Sequence, residues 1–319
     1  MESRYNVPVL LLIFNRPAVT KAMFDSVRSI RPKYLYVAAD GPRKDREGEK
    51  ELCEKTRSVI TDNIDWDCNV KTLFRTENAG LKKNVNEALD WFFENEEKGI
   101  ILEDDIVGSQ AFFRFCEVNL EYYKNDSRVM LITGFNHLSE WQNGQADYFF
   151  SKTGAIWGWA TWKRAWEKNR RDPADWAEAK KRNVLNDILQ NEEMLKFRNR
   201  IFERTFNGEV NSWAYIWTFY RFINSGLSIV PAKNLIKNIG FGEEATHTGK
   251  SDKKIEDISL FNPDYAPIKH PAFVYADIRY DNLVFDIFHK PATGVKYLVK
   301  KIRKRTNRLR KSLIRRFFS

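Results

Sequence analysis

The chain has 319 residues, 43% hydrophobic and 30% charged, which suits one large globular domain or two small ones and excludes disorder along most of its length. Its net charge of +10 is local: twelve cations and no acid lie between Ile287 and Ser319, leaving the rest of the chain at −2, so a protein gripping nucleic acid along its main surface is not expected. Cys53, Cys68 and Cys116 form neither a disulfide framework nor a zinc motif and suit reduced thiols in a cytosolic compartment.

The apolar run Val7–Phe14 is too short to cross a bilayer and lacks a small-residue cleavage site, so it is expected as a buried strand and not as a signal peptide. A helix over Ala18–Arg28 follows Pro17. Tyr34–Ala39 is a second strand ending at Asp40-Gly41-Pro42, and helical periodicity runs from Arg43 to Thr61. Val70–Arg75 is a third strand. Leu81–Glu94 places Val85, Ala88, Leu89, Phe92 and Phe93 on one helical face, and Lys98–Leu102 is a fourth strand stopped by Glu103-Asp104-Asp105. Apolar strands alternating with amphipathic helices predict a parallel sheet covered on both faces, with ligands beyond the carboxyl ends of its strands. Asn15-Arg16, Asp40-Gly41 and the acidic triplet all fall there.

Beyond residue 110 the pattern is less regular. A helix is expected over Ala111–Tyr123, a strand over Val129–Thr133, helical sequence over Arg164–Phe206, an aromatic helix over Ser212–Asn224 and a strand over Leu227–Val230. Between them lies a glycine- and tryptophan-rich segment, Thr153–Trp162. The organisation expected is one catalytic unit with halves 1–150 and 151–290, followed by a tail, 291–319. In the tail, Val295, Leu298, Ile302, Leu309, Leu313 and Phe317 form a narrow apolar stripe among cations. That pattern suits an amphipathic helix on an anionic membrane surface over 295–318; a solvated helix and a nucleic-acid arm are the alternatives.

Three adjacent acids at a strand end repel one another unless a cation or hydrogen-bond donors sit among them. A hard divalent ion such as Mn²⁺ or Mg²⁺ would satisfy them and leave positions open for phosphate oxygens; Asp105 as a helix-capping acid is the plainer reading. Neither GxGxxG nor GxxxxGK[ST] occurs, so metal and side chains would have to hold any phosphate. Arg16, Lys82 and Lys83 are placed for that, although the two lysines equally suit a solvated helix start.

Taken in order, Asn15-Arg16-Pro17, Arg31-Pro32, Asp40-Gly41, Asn78-Ala-Gly80-Leu-Lys-Lys83 and Glu103-Asp104-Asp105 resemble the GT-A fold glycosyltransferases, in the flavour of the N-acetylglucosaminyltransferase I type and bacterial surface-polysaccharide transferases. The resemblance extends through Gly154–Trp159 and Asn234–Gly242 to Thr246-His247 and covers roughly residues 5 to 290. It implies an α/β fold with a mostly parallel sheet flanked by helices. It implies Mn²⁺ or Mg²⁺ on Asp105, with Glu103 and Asp104 at the ribose or behind the metal. Asp40 would meet the uracil edge; Asn15, Arg16, Asn78 and Lys82 would line the donor pocket, and His247 would close over it. Trp157, Trp159 and Trp213 would border the acceptor, although core packing accounts for most tryptophans equally well. In this family an acid serving as general base stands where this chain has Ala214, which leaves Glu209 as a substitute, an inactive chain, or a donor-binding protein without turnover. The resulting expectation is a metal-dependent inverting transferase. It would move a sugar from a nucleotide-sugar, with UDP as the expected carrier, to a glycan or lipid-linked acceptor in lipopolysaccharide or capsule synthesis, at the cytoplasmic face of a bacterial plasma membrane. A sugar-phosphate nucleotidyltransferase is the rival enzyme, against which stands the absence of glycine from Leu11–Pro17.

Overall fold

The computed structural model describes residues 5–141, 146–241, 255 and 258–290. Four strands and three helices alternate first: β1 Val9–Ile13, α1 Pro17–Arg28, β2 Tyr34–Ala39, α2 Glu49–Thr61, β3 Asn69–Phe74, α3 Leu81–Asn95 and β4 Lys98–Glu103. After them come β5 Ile106–Gly108, α4 Gln110–Tyr122, β6 Val129–Thr133, β7 Tyr148–Ser151 and β8 Trp159–Trp162. Helices α5 Lys163–Trp166, α6 Pro173–Lys181, α7 Val184–Ile188, α8 Glu192–Phe206 and α9 Trp213–Ile223 lead to β9 Leu227–Pro231 and β10 Ile236–Asn238. Helix α10, Ile278–Val284, runs on into a π-helical turn, Phe285–His289.

Eight strands form one sheet in the order β3-β2-β1-β4-β8-β6-β9-β7, and β5 pairs with β10 in a separate ribbon. Strands β1 to β4, β6 and β9 run one way, while β8 and β7 run against their neighbours. The sheet is therefore mixed but mostly parallel, and helices flank it, which is the α/β class expected. It continues across residue 150, since β8 from the second half lies between β4 and β6.

The alternation of strand side chains explains why both faces are covered. Val9, Leu11 and Ile13 of β1 join Met23, Phe24 and Val27 of α1, Ile60 of α2 and Phe112, Phe113 and Phe115 of α4. Leu10 and Leu12 point the other way, onto Val85, Leu89 and Phe92 of α3 and Trp166, Trp217 and Phe219 of the later helices. Strand β3 is the exception to the expected buried strands: Asn69–Thr72 are exposed because β3 is the sheet edge. Three strands went unread in the second half. In β7 and β8 the aromatic and short polar residues carry no alternation, and β10 is three residues long. Gly154, at φ +65°, turns the chain between β7 and β8 so closely against Ser228 that a Cβ there would overlap its side chain.

Candidate active site

Parallel register puts Ile13 beside Ala39 and Leu12 beside Glu103, so the residues that leave β1, β2 and β4 emerge side by side. They line a cavity of about 350 Å³ together with the start of α3, Asn238 at the end of β10 and Gly240 beyond it. Arg16, immediately before α1, is the cation that the acidic triplet needs. Its Nε donates to Asp104 Oδ2 at 3.2 Å, and its Nη2 donates to Asp104 Oδ1 and, at 2.8 Å, to Asp105 Oδ2. Burial still pushes Asp104 up to about 6, with Arg16 opposing it. Glu103 is pushed up to about 8 by burial and by the neighbouring Asp105 and Asp104. No hydrogen bond reaches its carboxylate among the described residues.

Asp40 lines the cavity and is bonded within the protein. Oδ1 accepts the backbone N–H groups of Gly41 at 2.9 Å and Ala79 at 2.8 Å; Oδ2 accepts Asn78 Nδ2 and the Gly80 N–H, both at 3.1 Å. Four donors fill the lone-pair positions of one carboxylate. Asp40 therefore clasps the 78–80 loop to the end of β2 and keeps no free oxygen for a uracil edge. Asn78, also bonded to the Gly41 carbonyl at 2.9 Å, is part of the same clasp and lines the cavity. Asn15 turns away from the cavity: its Nδ2 donates to Glu49 at 3.0 Å, and Glu49 holds Arg43, which does line it.

A second cavity, of about 560 Å³, adjoins the first, and Leu81, Glu103, Trp157 and Asn211 line both. Its floor comes from Thr153–Trp157, its walls from α8, the start of α9 and α10. Trp157 and Trp213 face it, as does Ala214. Trp159 does not. It is fully buried in β8 and stacks behind Trp213 at 5.9 Å, because alternation along β8 sends it into the core. Glu209 lines neither cavity; it is exposed and accepts Arg204 Nε at 3.1 Å. Lys82 opens onto a shallow recess with Lys83 and Arg171, which meets the first cavity at Gly80 and Asn211. His247 and the tail lie outside the described residues.

Several lining residues escaped the sequence reading. Asn211, Asn238 and Gly240 stood inside segments quoted for other reasons, whereas Asn84, His137 and Arg198 carried no local signal. Gly240 is required by packing: a Cβ there would overlap the Asp105 carboxylate, and the Ile239 N–H donates to the Asp105 carbonyl at 2.9 Å.

The donor set fits a metal in one way only. Among the described residues no group of three or more His, Cys, Asp or Glu side chains converges to cage an ion. Asp105 Oδ1 takes no donor among the described residues and offers a hard oxygen. That chemistry suits a divalent ion held by a single carboxylate and completed by substrate phosphate oxygens and water. Among the described residues no helix is long and apolar enough to cross a membrane.

No family model and no curated protein matches the sequence. Among solved structures, it is similar to the mannosyltransferase PcManGT from Pyrobaculum calidifontis in complex with GDP-Man and Mn²⁺, at 13% identity over 49% of this chain and 45% of that one, with a TM-score of 0.31. HddC from Yersinia pseudotuberculosis is 12% identical over 40% of this chain and 57% of its own, at 0.28. The 4-diphosphocytidyl-2C-methyl-D-erythritol synthase from Anaerococcus prevotii is 10% identical over 76% and 97%, at 0.37. The chain thus spans about half the length of the first two, and TM-scores of this size carry no argument about activity.

Proposed function

We propose that the protein is a nucleotide-sugar-dependent glycosyltransferase, with the donor in the first cavity and the acceptor in the second. The observation that carries this reading is the shared wall. Two substrates must meet within about 3.5 Å for transfer, and Leu81, Glu103, Trp157 and Asn211 border both compartments. The first compartment sets Arg16, Arg43, Asn84 and the acidic triplet among apolar walls and sits at the carboxyl ends of parallel strands, where nucleotides bind in α/β sheets. The second offers the flat faces of Trp157 and Trp213, which suit pyranose rings.

In this reading Arg16 and the Asp40–Asn78 clasp shape the diphosphate and nucleoside end of the donor pocket. Asp105 would hold Mn²⁺ or Mg²⁺, which when bound offsets charge on a departing phosphate. The acceptor is a glycan or lipid-linked glycan, and the outcome is inversion. The basic tail would bring the enzyme to an anionic membrane from the cytoplasmic side. Ala214 faces the acceptor compartment at the position where the family resemblance places a base.

Calorimetry with UDP and GDP, with and without Mn²⁺, followed by a donor-hydrolysis screen across sugar nucleotides, tests the proposal. Metal-enhanced diphosphate binding and hydrolysis of one sugar nucleotide are expected. Binding of a nucleoside triphosphate with sugar 1-phosphate in preference to any sugar nucleotide would establish nucleotidyl transfer instead. Ala214→Asp should raise turnover if a base is missing there; a fall or no change would show that position 214 is not a vacated base site.

A further inference from the structure

We propose that the acceptor taken by the second cavity carries an oxyanion, a phosphate or a carboxylate, and that Arg198 is the residue that binds it. The inference rests on the two-compartment reading above and adds the charge of its acceptor. Arg198 projects from α8, is 8% exposed and lines the cavity. Among the described residues its guanidinium makes no hydrogen bond and no ion pair, and its Nε is buried without a partner. A guanidinium carries five N–H donors, so this is the largest unmet hydrogen-bonding capacity in either cavity.

Its surroundings deepen the deficit. Arg221 lies behind the same wall, fully buried, with its Nε unpartnered and its other nitrogens donating only to neutral oxygens: the Thr153 carbonyl at 2.7 Å, the Gly154 carbonyl at 3.5 Å, Thr218 Oγ1 at 3.3 Å and Ser228 Oγ. One carboxylate is near, Asp281 on α10. It is committed elsewhere, to Ser151 Oγ, the Lys152 N–H at 3.0 Å and Thr153 Oγ1 at 3.1 Å. Two buried guanidinium groups thus face one buried carboxylate. The rings of Phe197 and Phe222, 5.6 and 5.5 Å from the Arg198 guanidinium, give cation–π contacts, but these return less than the removal of a charge from water costs. His137 and His289, on the same cavity, are held neutral by burial and by the positive charge around them, at about 3 and about 4. Arg198 contributes to both depressions, and an oxyanion bound to it would cancel that charge. A bidentate guanidinium–oxyanion pair also has the geometry to orient a sugar whose hydroxyl must point at Glu103 and the donor compartment.

Calorimetry on the full chain tests this with glucose 6-phosphate, glucuronate and glucose, each with and without saturating UDP. At least one charged sugar should bind about tenfold or more tightly than glucose, and which one does separates phosphate from carboxylate acceptors. Arg198→Met should remove that preference while leaving UDP affinity within about twofold, and Arg198→Lys should retain a reduced preference. Equal binding of all three sugars to the wild-type protein overturns the proposal, as does a preference that survives in folded Arg198→Met. Should Arg198→Met not fold, the Lys variant and the wild-type comparison decide. The UDP titration on the same samples reports separately on the transferase reading: loss of nucleotide binding there refutes that reading, whereas loss of the charged-sugar preference alone refutes this one.

Discussion

Apart from Glu103 on the wall they share, the first cavity answers its charges from within, and the second does not. Around the donor compartment, Arg16 sits between Asp104 and Asp105, Asp40 fills its lone pairs with four N–H donors, and Glu49 holds Arg43. In the second cavity Arg198 has only aromatic faces, and behind its wall Arg221 has only neutral oxygens and the ring of Trp217. A scaffold that closes its own electrostatics is built to hold a shape. One that leaves a buried cation open is built to be completed by something else.

Removing a cation should therefore have opposite consequences in the two places. Arg16→Met leaves two carboxylates crowded and unpaired at the end of β4 and should cost about 3–5 kcal/mol in urea denaturation, the usual loss when one partner of a buried pair is deleted. Adding Asp104→Asn should restore part of it. Arg198→Met, which swaps an uncompensated cation for an apolar side chain of similar size, should be neutral or raise the melting temperature. Equal destabilisation by both would erase the contrast. Next in size is Asp40→Ala. It strands the N–H groups of Gly41, Ala79 and Gly80 and should cost about 3 kcal/mol, with nucleotide affinity falling as the 78–80 loop loosens.

The same division marks how much of the molecule was legible in the sequence. From β1 to β4 the helices and strands follow hydrophobic period and punctuation, and they match the expected bounds within a few residues, apart from the start of α2. The strand-end rule then brings Arg16, Asp40 and the acidic triplet to one cavity. What the rule could not show is how those groups pair. The same Asp at a strand end can face a ligand or clasp a loop, and only the positions of the Ala79 and Gly80 N–H groups decide for Asp40. In the second half, β8 is buried on both faces between β4 and β6, so its Trp-Ala-Thr-Trp has no polar side to announce a strand. The wall of the second cavity draws on α8, α9 and α10; Asn191 at the head of α8 bonds Asn282 of α10 across 91 residues of sequence, and no local pattern links them.

A smaller effect comes from the histidines of the second cavity. His137 at about 3 and His289 at about 4 are both depressed below the ordinary 6.5 by burial first, with Arg198 adding to it. A base whose folded value is depressed contributes stability that is present above its unfolded value and lost as the pH falls through the folded one. Stability should therefore decline as the pH drops from about 6.5 towards 4, in addition to any carboxylate effect. His137→Gln should recover on the order of 1 kcal/mol of the difference between pH 7.5 and pH 5, measured by denaturation at the two values. A variant whose pH profile superimposes on the wild type would show that His137 is charged or solvated in the folded protein.

The smallest expected effect concerns Glu209, the acid nearest in sequence to Ala214. Its carboxylate is exposed and pairs with Arg204 five residues earlier, at the turn that joins α8 to α9. Surface pairs of this kind contribute little, so Glu209→Gln should shift stability by no more than about 0.5 kcal/mol. It should also leave donor hydrolysis unchanged. A general base must come within hydrogen-bond reach of the acceptor hydroxyl, and Glu209 lines neither compartment, whereas Glu103 stands on the wall between them. A large loss of turnover in Glu209→Gln would mean that the α8–α9 turn folds over the acceptor during the reaction. The second cavity would then be one half of a closing site and not a finished one.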